Sequence, residues 1–224
     1  MKNVLIACEE SQIECIEFRK LGFNAYSCDI QKCSGDHPEW HILGDVTKIL
    51  EPWRDENMFH IMFFTQDGNL HSVGKWDLII AHPPCTYLSK AGSRWLYANK
   101  QLDYKRLNKG FEAKNFFMKF YNLSSEHLCI ENPVPNLIFQ LPKPDQIINP
   151  FDFGHHFSKK TCLWLKNLPP LFSTDIITDY EPYVSSSTKP GVSRKGGSSK
   201  VRSKSFRGIA VAMAEQWGNI IIGA

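Results

Sequence analysis

Short apolar runs alternate along the chain with segments in which apolar residues recur every three or four positions. The first pattern is typical of buried parallel strands, and the second of helices that pack on them. The runs predict strands at residues 4–8, 23–30, 41–46, 77–81 and 128–130. The helical spacing covers residues 11–21, 103–123 and 206–217. This order predicts an α/β fold with a mostly parallel sheet and helices on both of its faces.

Two segments interrupt the alternation. Residues 53–75 contain alternating runs around Asp67-Gly68, and Asp-Gly in that setting is a strong signal for a β-hairpin. Residues 184–205 are rich in Ser, Gly and Lys, a composition that does not build a packed core. We therefore expect a single domain over residues 1–224 that carries an inserted hairpin at 53–75 and a flexible basic loop at 184–205.

The composition excludes several classes of protein. Apolar residues make up 42% of the chain and charged residues 22%, which is ordinary for a globular domain. No run approaches the roughly 18 apolar residues that a membrane span needs. The N-terminal apolar run meets Glu9 and Glu10 at once, unlike a signal peptide. We therefore expect a cytoplasmic protein with no membrane partner, whose seven irregularly spaced cysteines are free thiols.

The positive charge of the chain is concentrated in one segment. Residues 184–214 hold seven of the 26 basic residues and none of the 23 acidic ones, so the rest of the chain is net negative. Cations separated by Ser and Gly can neutralise several phosphates in a row. A solvated surface loop has the same composition, but a local cluster of this kind favours a polyanionic partner such as DNA.

The segment Pro83-Pro84-Cys85 directly follows the predicted strand at residues 77–81. Two prolines stiffen the backbone and remove two N–H donors, so the next side chain projects from a rigid turn. A thiol at the carboxyl edge of a sheet has the access and fixed direction that a nucleophile needs. Packing of Cys85 in an ordinary loop is the simpler interpretation of this segment alone.

A carboxylate ends the next predicted strand, in Glu131-Asn132-Pro133. Neighbouring strands would then present a thiol and a carboxyl group at one edge of the sheet. In such a crevice we expect desolvation to raise the pKa of Glu131, which would let it share a proton with a substrate ring. The structural alternative is a strand-end glutamate that accepts hydrogen bonds from nearby N–H groups.

Pro-Pro-Cys after one strand and Glu-Asn after the next resemble two motifs of the DNA cytosine-5 methyltransferases. The chain is more closely similar to the short, Dcm-like members found in phages and prophages. The strings that carry this likeness are Cys8-Glu9-Glu10-Ser11, Ser34-Gly35-Asp36-His37-Pro38-Glu39-Trp40-His41, Ala81-His82-Pro83-Pro84-Cys85-Thr86 and Phe157-Ser158-Lys159-Lys160-Thr161-Cys162-Leu163-Trp164.

The resemblance implies a Rossmann-like methyltransferase that uses S-adenosylmethionine to methylate carbon 5 of cytosine in DNA. It implies a catalytic Pro84-Cys85 pair in which Cys85 adds to the ring, and a Glu131, positioned by Asn132 and Pro133, that steadies ring nitrogen 3. The residues implied for the cofactor are Cys8, Glu9, Glu10, Asp29, Ile30, Asp45, Val46, His82 and Pro83. The helix that begins at Phe206-Arg207-Gly208 would complete the cofactor pocket.

The sequence departs from the family pattern in several places, including Thr86 where Gln is usual and Pro133 where Val is usual. Ala7-Cys8-Glu9-Glu10 replaces the usual glycine-rich loop, no Gln-x-Arg-x-Arg segment is present, and the chain has no room for a full target-recognition domain. The hairpin and the basic loop are the candidates to replace that domain. The cations expected to contact DNA are Lys90, Arg94, Lys159, Lys160, Lys200, Arg202 and Lys204.

Three alternatives stay open. The same thiol chemistry could modify another pyrimidine or a free nucleotide. The chain could also be a catalytically inactive methyltransferase fold that binds DNA. Finally, Cys28, Cys33, His37 and His41 could be drawn as a zinc site, but their spacing matches no common finger, and we expect no metal.

Overall fold

The five predicted strands lie side by side in one seven-stranded sheet, from its third strand to one edge. The computed structural model describes residues 1–54, 59–98, 101–183 and 204–223. Its helices are α1 (Ile13–Lys20), α2 (Tyr104–Tyr121) and α3 (Arg207–Gly223). Its strands are β1 (Asn3–Ala7), β2 (Asn24–Asp29), β3 (His41–Leu43), β4 (Trp53–Arg54), β5 (Phe59–Phe64), β6 (Leu70–Val73), β7 (Leu78–Ala81), β8 (Tyr97–Ala98), β9 (Gln101–Leu102), β10 (Leu128–Pro133), β11 (Gln146–Ile148), β12 (Phe157–Ser158), β13 (Thr161–Lys166) and β14 (Glu181–Pro182).

The main sheet has the order β11-β13-β10-β7-β1-β2-β3. The run from β10 to β3 is parallel throughout, which confirms the prediction of an α/β protein with a mostly parallel sheet. The chain leaves β1 toward β2 on one side, while β7 pairs with β1 on the other. Open α/β sheets place their ligands at such a change of direction, which here falls at the carboxyl ends of β1 and β7.

Both faces of the sheet are covered. Alternate residues of β1 point to opposite faces, as a strand requires. Val4 and Ile6 pack with α1 and α3, and Leu5 and Ala7 lie in the core on the side of α2. None of the helices in the described part of the chain is long and apolar enough to cross a membrane.

A hairpin is present where Asp67-Gly68 predicted one. β5 pairs with β6 in antiparallel register, and Gly68 has a φ of +90°, which favours glycine. β4 adds a third strand to this small sheet, and residues 55–58 lie outside the described residues. Phe63 of the hairpin packs edge-on against Tyr26 of β2, so the insertion covers the same face as α2.

Two features differ from expectation. The sequence pattern did not predict β13 and β11, which pair antiparallel with β10 and with each other at one edge of the sheet. In α1, the expected apolar stripe included Leu21, but Leu21 is 49% exposed and lies just after the helix. Glu14 and Glu17 are buried on this helix instead, beside Cys15 and Phe18. Because charged residues occupy part of the buried face, the apolar residues alone do not show which face of α1 packs on the sheet.

Candidate functional site at the carboxyl edge of the sheet

The Pro-Pro-Cys loop and the Glu-Asn strand end are held together directly. Ala81 of β7 pairs with Ile130 of β10, so the two motifs leave the sheet side by side. The Asn132 side chain donates a buried hydrogen bond of 2.7 Å to the carbonyl of Pro83. The backbone N–H of Lys90 donates to the carbonyl of Val134 at 2.8 Å, which joins the loops that follow both strands.

Cys85 lies in this tethered loop and is half-buried, while Pro84 before it is exposed and Pro83 is buried. Its carbonyl accepts hydrogen bonds from the N–H groups of Leu88 and Ser89, so the loop closes a turn directly after the thiol. All seven cysteines are free, as the sequence predicted. The local geometry gives Cys85 the accessibility and the fixed backbone that a nucleophile requires.

His82 connects two carboxylates from different elements. Its Nδ1 lies 3.0 Å from Glu131 Oε2, and its Nε2 lies 3.3 Å from Glu14 Oε1. The side chains of His82 and Glu131 are 12% and 17% exposed, and that of Glu14 is fully buried. Glu14 comes from the first turn of α1, so three separate elements converge on one imidazole.

The expected rise in the pKa of Glu131 is wrong. Burial does raise the pKa of this carboxyl, but the hydrogen bond and positive charge of His82, with a smaller contribution from Lys159, lower it below its ordinary value. In turn, burial lowers the pKa of His82, but the charges of Glu14 and Glu131 outweigh it and raise that pKa. The pair therefore favours an imidazolium beside an ionised Glu131.

A small cavity of about 10 Å³ lies beside Glu131, which is about the room of one water molecule. Glu14, Glu131 and Lys159 supply its charged groups, and Phe206 contributes an aromatic wall. The Lys159 ammonium also lies 5.8 Å above the centre of the Phe206 ring. Phe206, expected to complete a cofactor pocket, thus borders the same cavity as Glu131.

The residues expected to bind a cofactor form a second group along the same edge. Cys8 follows β1 and has a φ of +62°, a left-handed conformation in the place where the family resemblance implies glycine. Burial, and then the charges of Asp29 and Asp45, raise the pKa of Cys8 to about 12. The turns after β1, β2 and β3 therefore bring these two carboxylates to face one thiol.

The remaining cofactor candidates divide into buried and exposed residues. Glu9 Oε1 accepts hydrogen bonds from the Glu14 N–H and the Ser11 hydroxyl, so this carboxylate closes the start of α1. Glu10 is buried, and neither of its oxygens has a hydrogen-bond partner among the described residues. Val46 is buried in the core, and Ile30 is 80% exposed. Glu10 is thus the best placed of the four to receive a polar ligand.

The structure separates the cations expected to contact DNA. Lys159 borders the cavity beside Glu131, whereas Lys160 lines an open cleft of about 370 Å³ with Phe151 and Tyr180. Lys90 is exposed on the loop after Cys85, and Arg94 belongs to the short helix of residues 90–96. Lys204 donates a hydrogen bond to the Ser34 hydroxyl. Lys200 and Arg202, with most of the segment 184–205, lie outside the described residues.

The cysteines and histidines of residues 28–41 serve other contacts. Cys28 lies in the core. Nδ1 of His41 lies 2.9 Å from the Ser27 hydroxyl, and its Nε2 lies 2.9 Å from the Gln31 carbonyl. Nδ1 of His37 lies 3.0 Å from Glu39. In the described ranges, no three His, Cys, Asp or Glu side chains lie close enough to hold a metal ion together.

Sequence reasoning missed Glu14 and Arg106. Arg106 donates to the carbonyl of Thr86, directly after Cys85, and stacks its guanidinium over the Tyr87 ring. Nothing in the sequence singles out this arginine from the other cations of α2. Nothing in the sequence distinguishes Glu14 from Glu17 on the same helix either.

Comparison with known proteins identifies no family for the chain. No protein-family model matches it, and no curated protein is similar to it at a significant level. The fold and the edge site define an α/β protein with a thiol, a histidine and several carboxylates at the carboxyl ends of its parallel strands.

Proposed function

We propose that the protein is a Rossmann-like, S-adenosylmethionine-dependent methyltransferase that acts on carbon 5 of cytosine in DNA. One observation carries the proposal: the half-buried Cys85 loop is hydrogen-bonded to the strand end that presents Glu131, through Asn132 and the Pro83 carbonyl. A thiol and a carboxylate fixed at one crevice are the pair that addition to a pyrimidine ring requires. The resemblance of the surrounding strings to Dcm-like enzymes supports the same reaction.

Cys85 would act as the nucleophile. Attack of its thiolate on carbon 6 forms a sulfur–carbon bond and shifts the C5–C6 electron pair toward carbon 4, while nitrogen 3 gains a proton. Carbon 5 then has enamine character and can attack a methyl group. After transfer, the carbon 5 proton leaves to a base, the sulfur–carbon bond breaks, and nitrogen 3 releases its proton, so the aromatic ring and the free thiol are restored.

Glu131 would hold the proton on nitrogen 3 and accept a hydrogen bond from the exocyclic amine. Because His82 lowers the pKa of this carboxyl, Glu131 starts the reaction ionised. The shared proton therefore has to be taken up as the base binds. The side chain is 17% exposed, so the proposal requires the small cavity beside it to widen when an extruded base binds.

The second group of residues fits the proposed cofactor. S-adenosylmethionine, when bound, supplies the methyl group as an electrophile carried on a positively charged sulfur. Asp29 and Asp45 face the Cys8 turn and could accept hydrogen bonds from ribose hydroxyls and polar groups of the ligand. Neither oxygen of the buried Glu10 carboxylate accepts a hydrogen bond within the described residues. An amino group or a hydroxyl of the ligand could donate to them.

DNA is the proposed substrate because two of the expected cations, Lys90 and Lys159, lie near Cys85 and Glu131. Lys90 follows the thiol in the chain, Lys159 borders Glu131, and Lys204 ends the basic segment. Cations in these positions could hold phosphates on both sides of an extruded base. Binding of this kind weakens steeply as salt rises, which gives a simple measure of the phosphate contacts.

A labelling experiment tests the function. The full chain is incubated with methyl-labelled S-adenosylmethionine and duplex DNA, single-stranded DNA or free cytidine nucleotides, and the nucleosides are identified by mass. We expect label in 5-methylcytosine from DNA. Label in free nucleotides but not in DNA would contradict a DNA methyltransferase and indicate an enzyme that modifies nucleotides. DNA binding without any label from varied sequences would contradict methyl transfer and favour an inactive fold.

A covalent trap tests the thiol separately. DNA that carries 5-fluorocytosine lacks the proton that must leave carbon 5, so the adduct with Cys85 should persist after denaturation. Cys85→Ala should form no adduct, whereas Cys33→Ala, which removes another half-buried thiol, should be trapped like the wild type.

A further inference from the structure

Glu14 is an unusual side chain for its position. It lies in the first turn of α1, fully buried, between the sheet and the α3 residues Ile209 and Met213. Neither carboxylate oxygen has a hydrogen-bond partner within the described residues. Burying a carboxylate without a partner is costly, and an apolar residue would pack there with no such cost. His82 is the cation that faces it, at 3.3 Å.

The contacts of His82 require a particular protonation state. A neutral imidazole has one N–H donor and one acceptor nitrogen, so it can donate to one carboxylate alone. Here Nδ1 faces Glu131 and Nε2 faces Glu14, and both neighbours accept hydrogen bonds when ionised. An imidazolium donates from Nδ1 to Glu131 and places its positive charge 3.3 Å from Glu14, although Nε2 and the Glu14 oxygens form no hydrogen bond. Glu14 is the contact that distinguishes this state from a simple His82–Glu131 pair.

We propose that Glu14 is a positioning residue, which acts through His82 to fix the orientation of the Glu131 carboxylate and to keep a positive charge beside it. The inference rests on the proposed function, in which Glu131 holds the substrate ring, and it extends the site to α1. The ring is hydrogen-bonded to Glu131 through Nδ1 and attracted to Glu14 on its Nε2 side, and together these two contacts favour one orientation of the ring. Without Glu14, the imidazole is free to lose a proton and to turn.

Three neighbouring segments contribute charged groups around His82. Glu14 comes from α1, Glu131 from β10, and Lys159 from the loop before β13. Glu9, in the turn after β1, contacts Glu14 through its backbone N–H. Burial and the charge of Glu14 raise the pKa of Glu9, so this neighbour adds less negative charge than its residue type suggests. Removal of Glu14 therefore removes the main negative charge on the Nε2 side.

Histidine-ring NMR on the full chain tests the electrostatic coupling without substrate or cofactor. The His82 signal is assigned by its loss in His82→Asn, and its titration is followed in wild type and Glu14→Gln. We expect the midpoint to move to lower pH by about 1 to 3 units, since an opposite charge within 4 to 6 Å has an effect of that size. Glu14→Asp keeps the charge but shortens its reach, and should give a smaller shift.

Glu17→Gln is the matched control. Glu17 lies three residues along the same helix, where it pairs with Lys20 and Arg207, so its loss also breaks ion pairs of α1. We expect Glu17→Gln to leave the His82 midpoint in place. An unchanged midpoint in Glu14→Gln, or an equal shift in Glu17→Gln, would overturn the coupling.

The pH profile of methyl transfer to DNA tests the functional part. In Glu14→Gln we expect the rate at neutral pH to fall about 10- to 100-fold. The part of the pH–rate profile that follows the titration of His82 should move to lower pH, as in the NMR titration. The KM for S-adenosylmethionine should stay within about twofold of the wild type. A changed melting temperature with an unchanged profile would assign Glu14 a structural role only. A wild type without methyl transfer would refute the proposed function, while the NMR titration would still decide the coupling.

Discussion

The carboxyl edge of the sheet has two parts that differ in the burial and pairing of their charged residues. On the side of β7 and β10, His82, Glu14 and Glu131 are buried and pair with one another. On the side of β2 and β3, Asp29 is half-buried and Asp45 is exposed, and both accept hydrogen bonds from backbone N–H groups within their own turns. Buried, mutually fixed charges suit a site that holds a reacting ring, and exposed carboxylates suit a site that a soluble ligand enters and leaves.

Two buried histidines show the same difference. His82 faces carboxylates, which raise its pKa despite its burial. His41 contacts the Ser27 hydroxyl and the Gln31 carbonyl, and burial lowers its pKa. The first contributes stability below its ordinary pKa of 6.5 that is lost as pH rises through the raised value. The second costs stability as pH falls below 6.5. Similar burial with different partners thus gives opposite pH dependence.

Replacement of the thiol should have the largest effect on the β7–β10 half. Cys85→Ser should lower methyl transfer by at least about 10⁴-fold, because a hydroxyl is a far weaker nucleophile and no other group can form the adduct. The melting temperature should hardly change, since Cys85 is half-buried in a loop. Single-turnover rates and thermal melts measure the two quantities. Cys33→Ser serves as the control, and a Cys85→Ser variant with near-normal activity would exclude covalent addition.

His82→Asn should reduce stability more than any other change in the charged network. It removes the imidazolium that pairs with the buried Glu14 and Glu131, and loss of one partner of a buried pair costs about 3 to 5 kcal/mol. The wild-type pair contributes most between pH 4.5, the ordinary pKa of Glu131, and pH 6.5, that of His82. Glu131 loses its share as pH falls through its lowered pKa, and His82 loses its share as pH rises through its raised one.

Urea unfolding across pH distinguishes the two histidines. The free energy of unfolding should differ most between wild type and His82→Asn from pH 4.5 to pH 6.5, and the difference should become smaller below and above this range. His41→Asn should instead remove a loss of stability at acid pH, because the buried neutral ring no longer has to be charged. If the free energy of unfolding changed with pH in the same way in both variants, the contacts of each histidine would not determine its pH dependence.

Asn132→Ala should have an intermediate effect, because it cuts the link between the two halves of the catalytic pair. Loss of its buried hydrogen bond to the Pro83 carbonyl should cost about 1 to 3 kcal/mol. Methyl transfer should fall further than stability predicts, since the Cys85 loop is no longer held to the Glu131 strand. Asn136→Ala removes an exposed hydrogen bond to the Ile138 N–H nearby and should leave activity intact.

The sequence predicted the parallel strands and the position of Cys85 and Glu131 well, because both follow from apolar runs that end at one edge. It did not predict β13, whose run from Thr161 to Lys166 follows a segment rich in Gly, His and Lys and pairs antiparallel. It also missed Glu14, because a buried carboxylate contradicts the helical period, and its partner His82 lies 68 positions away in the loop after β7. Such pairs depend on tertiary contacts that no local pattern encodes.

Asp29→Asn should have the smallest effect, and it tests the β2–β3 half. If the exposed carboxylates bind the cofactor, loss of one charge should weaken binding of S-adenosylmethionine about tenfold, or about 1.4 kcal/mol. The melting temperature without ligand should be nearly unchanged, because the Asp29 side chain accepts a hydrogen bond from the Gln31 N–H that asparagine can also accept. Titration calorimetry measures the affinity, with Asp179→Asn, an exposed carboxylate just before β14, as the control. Equal affinities in wild type and Asp29→Asn would show that the β2–β3 side of the sheet edge does not bind the cofactor. The proposed division of this edge into a side that binds the cofactor and a side that holds the reacting ring would then be wrong.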